Sequence, residues 1–445
     1  MSQQQRKKRS NRDHAHQYQC PSHDNEVIEQ ELAALLTPAI DAQKSYYRSL
    51  GMRARILTLP LMVAAVLTLL WRQVPSVHEL TKMLAREDLL WCKAVKVSQK
   101  ALSMRLLTFP AEMFERVFFA VLPELERRWH QREKRPLAKS VTIALKNFEN
   151  IWIADGETLE ALFRKLKSLQ EEDIAPLAGK MAIVIDLVTR LPLHIWFDAN
   201  PKISDTKFEG NLLDVIKPKT LLLIDRGFYH FQFFTEIIDR GAHFICRLKK
   251  GAKLEVKKTL TQTDVVKDEI IILGGKRKTS PQVRVRLIQV RFGKTWYSYI
   301  TSVLEPEMLP PFVVADLYRR RWRIEEAFLS VKRLLGLSYL WTGSINGVKL
   351  QIWATWLFYA VLVDLGDAVA DELGLPFERI SLEMLYRGLY HFTVAYNKGK
   401  ASDPIQYFAA AENQDLAVVK ILRKPPARLD FSPFPTNHLT FFSSS

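Results

Sequence analysis

Hydrophobic residues repeat along the chain with two different periods, and the period changes near residue 140. Residues 28–139 carry apolar residues at helical spacing, whereas the segment that follows alternates with a period of two. Helical patterns resume after Pro310-Pro311 and dominate to about residue 397. This succession predicts an all-α N-terminal domain, a central α/β layer domain and further helices.

Two serines in the N-terminal region predict helix starts. Ser76 precedes a helix predicted over 77–86, with Glu79 as its capping-box partner, and Ser98 precedes a second short helix. A short basic helix after a short capped helix is typical of a helix-turn-helix DNA reader, but it is also typical of small helical bundles. DNA reading and a packing role both stay open here.

Two apolar runs require a test for membrane spans. The first, residues 56–71, is broken by Pro60, and the second covers residues 352–363. Both are shorter than the roughly 20 residues that a span needs. We therefore predict buried core helices and no membrane partner.

Two predicted strands of the central region end in aspartate. An alternating segment whose apolar residues share a face with Asp155 predicts a strand that turns at Gly156. The unbroken apolar run 221–224 predicts a central strand, covered on both faces, that ends at Asp225. Adjacent parallel strands of this kind place both carboxylates at one sheet edge, where open α/β sheets build sites.

The remaining strands fill out a mixed sheet. Residues 181–188 and 193–197 predict an antiparallel hairpin, and a helix over 231–240 and a strand over 243–248 follow. Residues 252–303 predict β-strands in which arginines alternate with apolar residues, which indicates one strongly basic face. The arginines are Arg284, Arg286 and Arg291.

We therefore predict an α/β fold with a mixed sheet flanked by helices, an N-terminal all-α domain, a β-rich insertion and C-terminal helices. The predicted division, in chain order, is a basic tail (1–27), a helical domain with a DNA-binding role (28–139), the first part of the α/β domain (140–251), the β-rich insertion (252–305), the helical remainder (306–400) and a C-terminal tail (401–445).

Charge and cysteine content narrow the class of protein. The formal net charge of +16 favours a polyanionic partner, and a hydrophobic fraction of 48% excludes a mostly disordered chain. Three cysteines are too few and too scattered for a disulfide framework, which favours a reducing compartment. The polar start fits neither a signal peptide nor a membrane anchor. The potential ligands His14, His16, Cys20 and His23 match no zinc template.

A polar stripe lies on the helix predicted after Pro311. Its members stand 3, 4 and 7 residues apart and therefore fall within an arc of about 60°. They are Tyr318, Arg321, Glu325 and Lys332. An apolar stripe directly beside them places the polar stripe at the margin of the core. The residues of the apolar stripe are Leu317, Ile324, Phe328 and Leu335. The polar stripe suits a site that holds a phosphodiester beside a metal-binding carboxylate, although a salt-bridged helix gives the same pattern.

Three carboxylates form the candidate metal centre. Asp155, Asp225 and Glu325 would offer hard oxygen ligands, which suit Mg²⁺ or Mn²⁺ rather than zinc. Two such ions clamp the attacking and leaving oxygens of a phosphoryl displacement. Asp155 is preferred to its neighbours as the first aspartate, since Asp186 would fall on a different strand. The alternatives are Asp186, Asp198 and Asp205.

These motifs carry a family resemblance. The segments Trp152-Ile-Ala-Asp155-Gly156 and Ile224-Asp225-Arg226-Gly227-Phe228-Tyr229, together with the spacing of the polar stripe, resemble the DDE transposases of the IS4 family. The resemblance runs from about residue 50 to about residue 400. It implies a ribonuclease-H-like catalytic domain, with the β-rich insertion between the second aspartate and the glutamate.

The resemblance also implies the roles of single residues. Asp155, Asp225 and Glu325 would bind two Mg²⁺ or Mn²⁺ ions for end cleavage by activated water and for strand transfer by the freed 3′-OH. DNA phosphates would be contacted by Tyr318, Arg321, Lys332 and Arg226. Trp296 is the candidate for stacking on a flipped base, although a core tryptophan beside Tyr297 is the preferred interpretation.

Partners and compartment follow from the same resemblance. The expected partner is double-stranded DNA, both the terminal inverted repeats of an insertion sequence and the target. The protein is expected to act as a homodimer in the cytoplasm, on the nucleoid when bound to DNA. Two alternatives stay open, namely a DNA-binding protein without catalysis that works through residues 75–108, and a ribonuclease-H-like nuclease that does not join ends.

Overall fold

A computed structural model of the chain describes residues 26–52, 55–74, 76–159, 179–274, 281–337, 344–420 and 429–435. Nearly all of the predicted basic tail, with the histidines and the cysteine considered as zinc ligands, lies outside these residues.

The N-terminal region is helical, as its apolar spacing predicts. Its helices are α1 (Glu26–Ala42), α2 (Lys44–Ser49), α3 (Leu59–Trp71), α4 (Val77–Leu84), α5 (Gln99–Thr108), α6 (Glu112–His130) and α7 (Lys139–Ala144). Both predicted N-caps are confirmed, because the Ser76 and Ser98 hydroxyls accept hydrogen bonds from backbone N–H groups three residues later. The Glu79 carboxylate binds Lys82 at 3.2 Å instead of closing a capping box.

The connection between α4 and α5 weakens the helix-turn-helix interpretation. Residues 85–98 separate the two helices, whereas the motif uses a turn of about three to four residues. The two helices nevertheless contact each other. This geometry favours the packing role that the sequence left open.

Both apolar runs form core helices, as predicted. In α3 every residue except Pro60 is buried. The second run lies within α12 (Ile345–Leu373), which is long and apolar enough by length and composition to cross a membrane, but 83% of its most apolar window is buried inside the protein. The Trp71 ring packs against the Phe358 ring with centroids 5.9 Å apart.

Nine strands of the described residues form one mixed sheet. They are β1 (Asn150–Thr158), β2 (Lys180–Asp186), β3 (Pro192–Asp198), β4 (Thr220–Ile224), β5 (His243–Arg247), β6 (Leu254–Gln262), β7 (Val266–Leu273), β8 (Val283–Phe292) and β9 (Thr295–Thr301). Their order is β3-β2-β1-β4-β5-β9-β8-β7-β6. The strands of the predicted insertion therefore extend the same sheet through the antiparallel β5–β9 pair.

The register of β1 and β4 places Asp155 and Asp225 at equivalent positions on neighbouring strands. The strands run parallel with Ala154 opposite Ile224, and Asp155 and Asp225 are the next residues on each. The predicted turn at Gly156 is wrong, because β1 continues to Thr158 along its other neighbour, the antiparallel β2. Asp155 thus lies where the parallel pairing ends but inside the strand.

Helices cover both faces of the sheet. The helices after β3 are α8 (Glu209–Val215), α9 (Phe231–Asp239), α10 (Pro311–Arg320), α11 (Arg323–Leu329), α12, α13 (Leu382–Asn397) and α14 (Pro404–Ala409). Leu222 and Ile224 of β4 join the core cluster that includes Phe234 of α9. Leu221 and Leu223 join the cluster on the other face. The central position predicted for β4 is confirmed.

The helix that carries the polar stripe is interrupted. α10 ends at Arg320, α11 begins at Arg323, and a π-helical turn over Ser330–Leu334 follows. The continuous helix assumed from the residue spacing is therefore wrong. The apolar stripe beside it is buried, as predicted.

The basic face predicted for β8 is wrong at Arg286. Arg284 is exposed, but Arg286 is fully buried and forms an ion pair with Asp268 of β7. Its Nη1 also donates to the Leu309 carbonyl at 2.8 Å, just before α10. This part of the sheet packs against the segment that leads into α10. The alternation of residues along β8 therefore did not identify a solvent-facing side.

Candidate active site

Three carboxylates converge on the guanidinium of Arg321. Its Nη1 lies 2.6 Å from Asp155 Oδ2, and its Nη2 lies 3.4 Å from Glu325 Oε1 and 3.9 Å from Asp225 Oδ1. β1, β4 and α11 supply one carboxylate each, and the break between α10 and α11 supplies the arginine. The structure therefore brings the three predicted acids together around one cation.

The three acids differ in their access to solvent. The Asp155 side chain is 13% exposed, against 41% for Asp225 and 44% for Glu325. Asp155 thus forms the floor of the site, while the other two line its open side.

Burial controls the protonation of Asp155. Desolvation raises the pKa of its carboxyl group to about 7, against the attraction of Arg321 and the 2.8 Å hydrogen bond donated by the Gly156 N–H. The nearby carboxylates of Asp225 and Asp205 add to the rise. Burial thus favours the protonated form of the Asp155 carboxyl group.

Tyr318 presents a hydroxyl to the second aspartate. Its O–H donates to Asp225 Oδ1 at 3.4 Å, and its ring packs against Tyr299 of β9 at 5.2 Å between centroids. Burial raises the pKa of Tyr318 well above its usual range, so the hydroxyl stays protonated. Tyr318 is therefore a buried hydrogen-bond donor beside Asp225.

The donor set fits a hard divalent cation in its chemistry. Three carboxylates that face one positive group supply the oxygen ligands that Mg²⁺ and Mn²⁺ prefer. Among the residues that the structure describes, no three His, Cys, Asp or Glu side chains stand close enough together to hold one ion. The Arg321 guanidinium lies between the three acids, which would be the residues to hold such an ion.

The other predicted phosphate contacts lie beside this cluster. Lys332 forms an ion pair with Glu157, which follows Asp155 by two residues on β1 and so shares its side of the strand. Arg226 is exposed next to Asp225. Lys332 and Arg226 therefore lie beside the carboxylate cluster but are not part of it.

Trp296 lies at the surface instead of in the core. Its side chain is 36% exposed, and the cationic groups of Lys267 and Arg291 lie 5.4 and 5.8 Å from its ring centroid. It stands three residues from Tyr299 on β9 and so points to the opposite face of the sheet. The core interpretation is wrong, and base stacking stays a prediction.

Asp205 is the site residue whose place the sequence analysis missed. Its carboxylate fits against the backbone of Gly156 and Gly227, the glycines that follow the first two acids, and it pairs with Lys180 at 2.6 Å. We considered it only as an alternative first aspartate. The available signal was a glycine after each aspartate, since glycine commonly marks a close approach to the backbone.

A family model matches the part of the chain that contains two of the three acids. Residues 159–361 match the family model described as "Transposase DDE domain". The match contains Asp225 and Glu325 and begins four residues after Asp155. The nine-stranded mixed sheet with its helices is consistent with a ribonuclease-H-like domain of such transposases, as predicted from the sequence.

Transposase-named proteins are similar to part of the chain. One from Sinorhizobium fredii, y4zB, is 24% identical over 189 residues, which are 39% of this chain and 52% of the relative. One from Geobacillus stearothermophilus, named for insertion sequence element IS5377, is 25% identical over 36% of this chain and 43% of its own length. A Synechocystis protein named for element IS4SA is 22% identical over 36% and 45%. The chain spans about half the length of the curated relatives it matches.

Proposed function

We propose that this protein is a DNA transposase that cuts the ends of an insertion sequence of IS4 type and joins them to target DNA. The convergence of Asp155, Asp225 and Glu325 on Arg321, within a chain that matches the transposase DDE domain, is the observation that carries the proposal. The resemblance of the segments around Asp155 and Asp225 and of the polar stripe supports the assignment to this type.

The three acids are the proposed ligands of two Mg²⁺ or Mn²⁺ ions. Such ions, when bound, activate a water or a 3′-OH and stabilise the charge that develops on the phosphate. Asp155 holds its carboxylate at the buried floor of the site, while Asp225 and Glu325 reach it from the open side. The cluster is thus built to hold positive charge beside a scissile phosphate.

The basic groups around the cluster are the proposed phosphate holders. Arg321 has a planar fork of donors that matches two phosphate oxygens, and the Tyr318 hydroxyl adds one donor. Lys332 and Arg226 border the open side, where the strand on either side of the cut would lie. When DNA binds, Arg321 is expected to exchange its carboxylate partners for phosphate oxygens.

The proposed partners are the terminal inverted repeats of the element and the target DNA, bound by a homodimer in the cytoplasm. The net charge of +16 supports binding to a polyanion. The net charge does not distinguish the transposase from the DNA-binding protein or the nuclease, and it does not bear on the dimer. The test therefore measures cleavage and joining of DNA.

The decisive experiment uses DNA ends taken from the regions that flank the gene. Purified protein is mixed with a duplex carrying the flanking inverted repeats and with a supercoiled target, in Mg²⁺ or Mn²⁺. We expect end cleavage and joined products, both lost in Asp225→Asn and both kept in Asp239→Asn, which changes an exposed carboxylate at the C-terminal end of α9. Cleavage without joining would support the nuclease, and binding without cleavage would support the DNA-binding protein.

A further inference from the structure

The Asp205 carboxylate occupies space that is free only because residues 156 and 227 are glycines. A Cβ built on Gly156 would lie 2.0 Å from Asp205 Oδ1, and one built on Gly227 would lie 2.2 Å from Asp205 Oδ2. Neither glycine is among the residues with positive φ. Their lack of a side chain therefore serves the close approach of Asp205 rather than an unusual backbone conformation.

The two glycines belong to the segments that carry the metal-binding candidates. Gly156 follows Asp155 directly, and Gly227 follows Asp225 by two residues. One oxygen of Asp205 faces each glycine, so a single carboxylate spans the gap between the two segments. The parallel pairing of β1 and β4 stops at Ala154 and Ile224, just before both aspartates. Backbone hydrogen bonds between these two strands therefore no longer set their spacing at this point.

Lys180 holds the Asp205 carboxylate in place. The Lys180 Nζ lies 2.6 Å from Asp205 Oδ1 and donates to the Ile203 carbonyl at 3.0 Å. Both groups are mostly buried, with 12% and 19% of their side chains exposed. The carboxylate is thus fixed by a partner on β2, which is itself hydrogen-bonded to β1.

We propose that Asp205 is a positioning residue that sets the separation of Asp155 and Asp225 by filling the space between Gly156 and Gly227. The inference rests on the proposed function, because it concerns the same carboxylate cluster. Asp205 acts through the backbone of its neighbours and needs no contact with substrate.

The test measures binding of Mn²⁺ alone, by calorimetry without DNA, so that it does not depend on cleavage. We expect Asp205→Ala to weaken Mn²⁺ binding roughly 10- to 100-fold, the range found when groups that orient metal ligands are removed. Asp205→Asn keeps the volume but loses the ion pair with Lys180, and it is expected to weaken binding less. Asp239→Asn, which changes an exposed carboxylate at the C-terminal end of α9, is the matched control and should leave affinity within about twofold, as for substitutions away from a site.

A double-mutant cycle separates positioning from general loss of structure. Gly156→Ala alone should weaken Mn²⁺ binding, because its new methyl group displaces the Asp205 carboxylate. Combined with Asp205→Ala the two losses should not add, since the clash is gone. Melting temperatures of all variants are measured beside affinity. A positioning role lowers the Mn²⁺ affinity of Asp205→Asn at temperatures well below its melting temperature, where the variant is fully folded.

Two results would overturn the proposal. One is an Mn²⁺ affinity of Asp205→Ala and Asp205→Asn within about twofold of the unchanged protein. The other is full additivity of the Gly156→Ala and Asp205→Ala losses. If the unchanged protein binds Mn²⁺ with no dependence on Asp225, the proposed metal site fails as well. If it binds Mn²⁺ through Asp225 but does not cut DNA, only the proposed function fails.

Discussion

The buried ion pair between Asp268 and Arg286 ties the outer strands of the sheet to the helix that carries the site. Neither side chain is exposed, and Arg286 Nε donates to Asp268 Oδ1 at 2.7 Å. The Nη1 of the same guanidinium reaches the Leu309 carbonyl at 2.8 Å, two residues before α10 begins. The substitution Asp268→Asn removes the negative charge and leaves the guanidinium buried.

The expected cost follows from the burial. Two unit charges about 4 Å apart attract by about 4 kcal/mol at an effective dielectric constant of 20. Removing one partner of a buried pair typically costs about 3–5 kcal/mol, because the other charge stays uncompensated. We therefore expect Asp268→Asn to lower the free energy of unfolding by about 3–5 kcal/mol.

Urea unfolding followed by tryptophan fluorescence measures this loss. The control is Glu255→Gln on β6, whose pair with Lys257 leaves 63% and 48% of the side chains exposed. Such surface pairs contribute about 0–1 kcal/mol, so the control should unfold almost as the unchanged protein does. The double substitution Asp268→Leu/Arg286→Met should recover most of the stability. A loss below about 1 kcal/mol for Asp268→Asn would refute the reasoning.

Three further outcomes concern the site itself. The pKa of Asp155 is about 7 in the folded protein and 3.8 for an ordinary aspartate, so only the folded state holds the proton between these values. The metal-free protein should therefore lose stability as pH rises from about 4 to above 7. Asp155→Asn should flatten this dependence in thermal melts. Glu157→Gln releases Lys332 and should tighten DNA binding several-fold in fluorescence anisotropy. The logarithm of the DNA association constant should fall linearly with the logarithm of the salt concentration.

Each of these outcomes has a result that contradicts it. A stability that rises with pH through 7 would show that Arg321 outweighs the burial of Asp155. Unchanged or weaker DNA binding by Glu157→Gln, with a normal melting temperature, would exclude Lys332 from the DNA path. A salt-independent affinity would exclude phosphate contacts as the main source of binding.

The elements with strong local signals could be predicted from the sequence. The serine-capped helices after Ser76 and Ser98, the hairpin of β2 and β3, and the buried strand before Asp225 all form as expected. Their signals are local, because a cap needs only the next turn and a hairpin needs only its own two strands. The meeting of Asp155 with Asp225 was also predictable, since parallel strands align their ends.

The errors arise where a distant partner decides the local structure. Gly156 lies inside β1 because β2 pairs with that strand as far as Thr158. Arg286 is buried because Asp268 and the Leu309 carbonyl satisfy it, a pairing that alternation along β8 does not reveal. A period of two assigns residues to faces, but it does not say which face is covered.

Helical spacing grouped residues of the polar stripe correctly, although the continuous helix assumed for them is wrong. Tyr318, Arg321 and Glu325 do meet, yet the helix breaks after Arg320 and a π-helical turn follows. Helical spacing gave no sign of the break. Asp205 was missed for a related reason, since its role depends on an approach to Gly156 and Gly227 from a separate connection after β3.

Arg321 gives the carboxylate cluster a counter-charge that is encoded in the chain. Many small metal-binding domains stay unfolded until their ion arrives, because the free energy of metal binding is what stabilises their fold. Here a guanidinium of the chain itself offsets part of the negative charge once α10 and α11 pack against the sheet. A divalent ion is therefore not the first cation that these carboxylates meet, because the folded chain already supplies one.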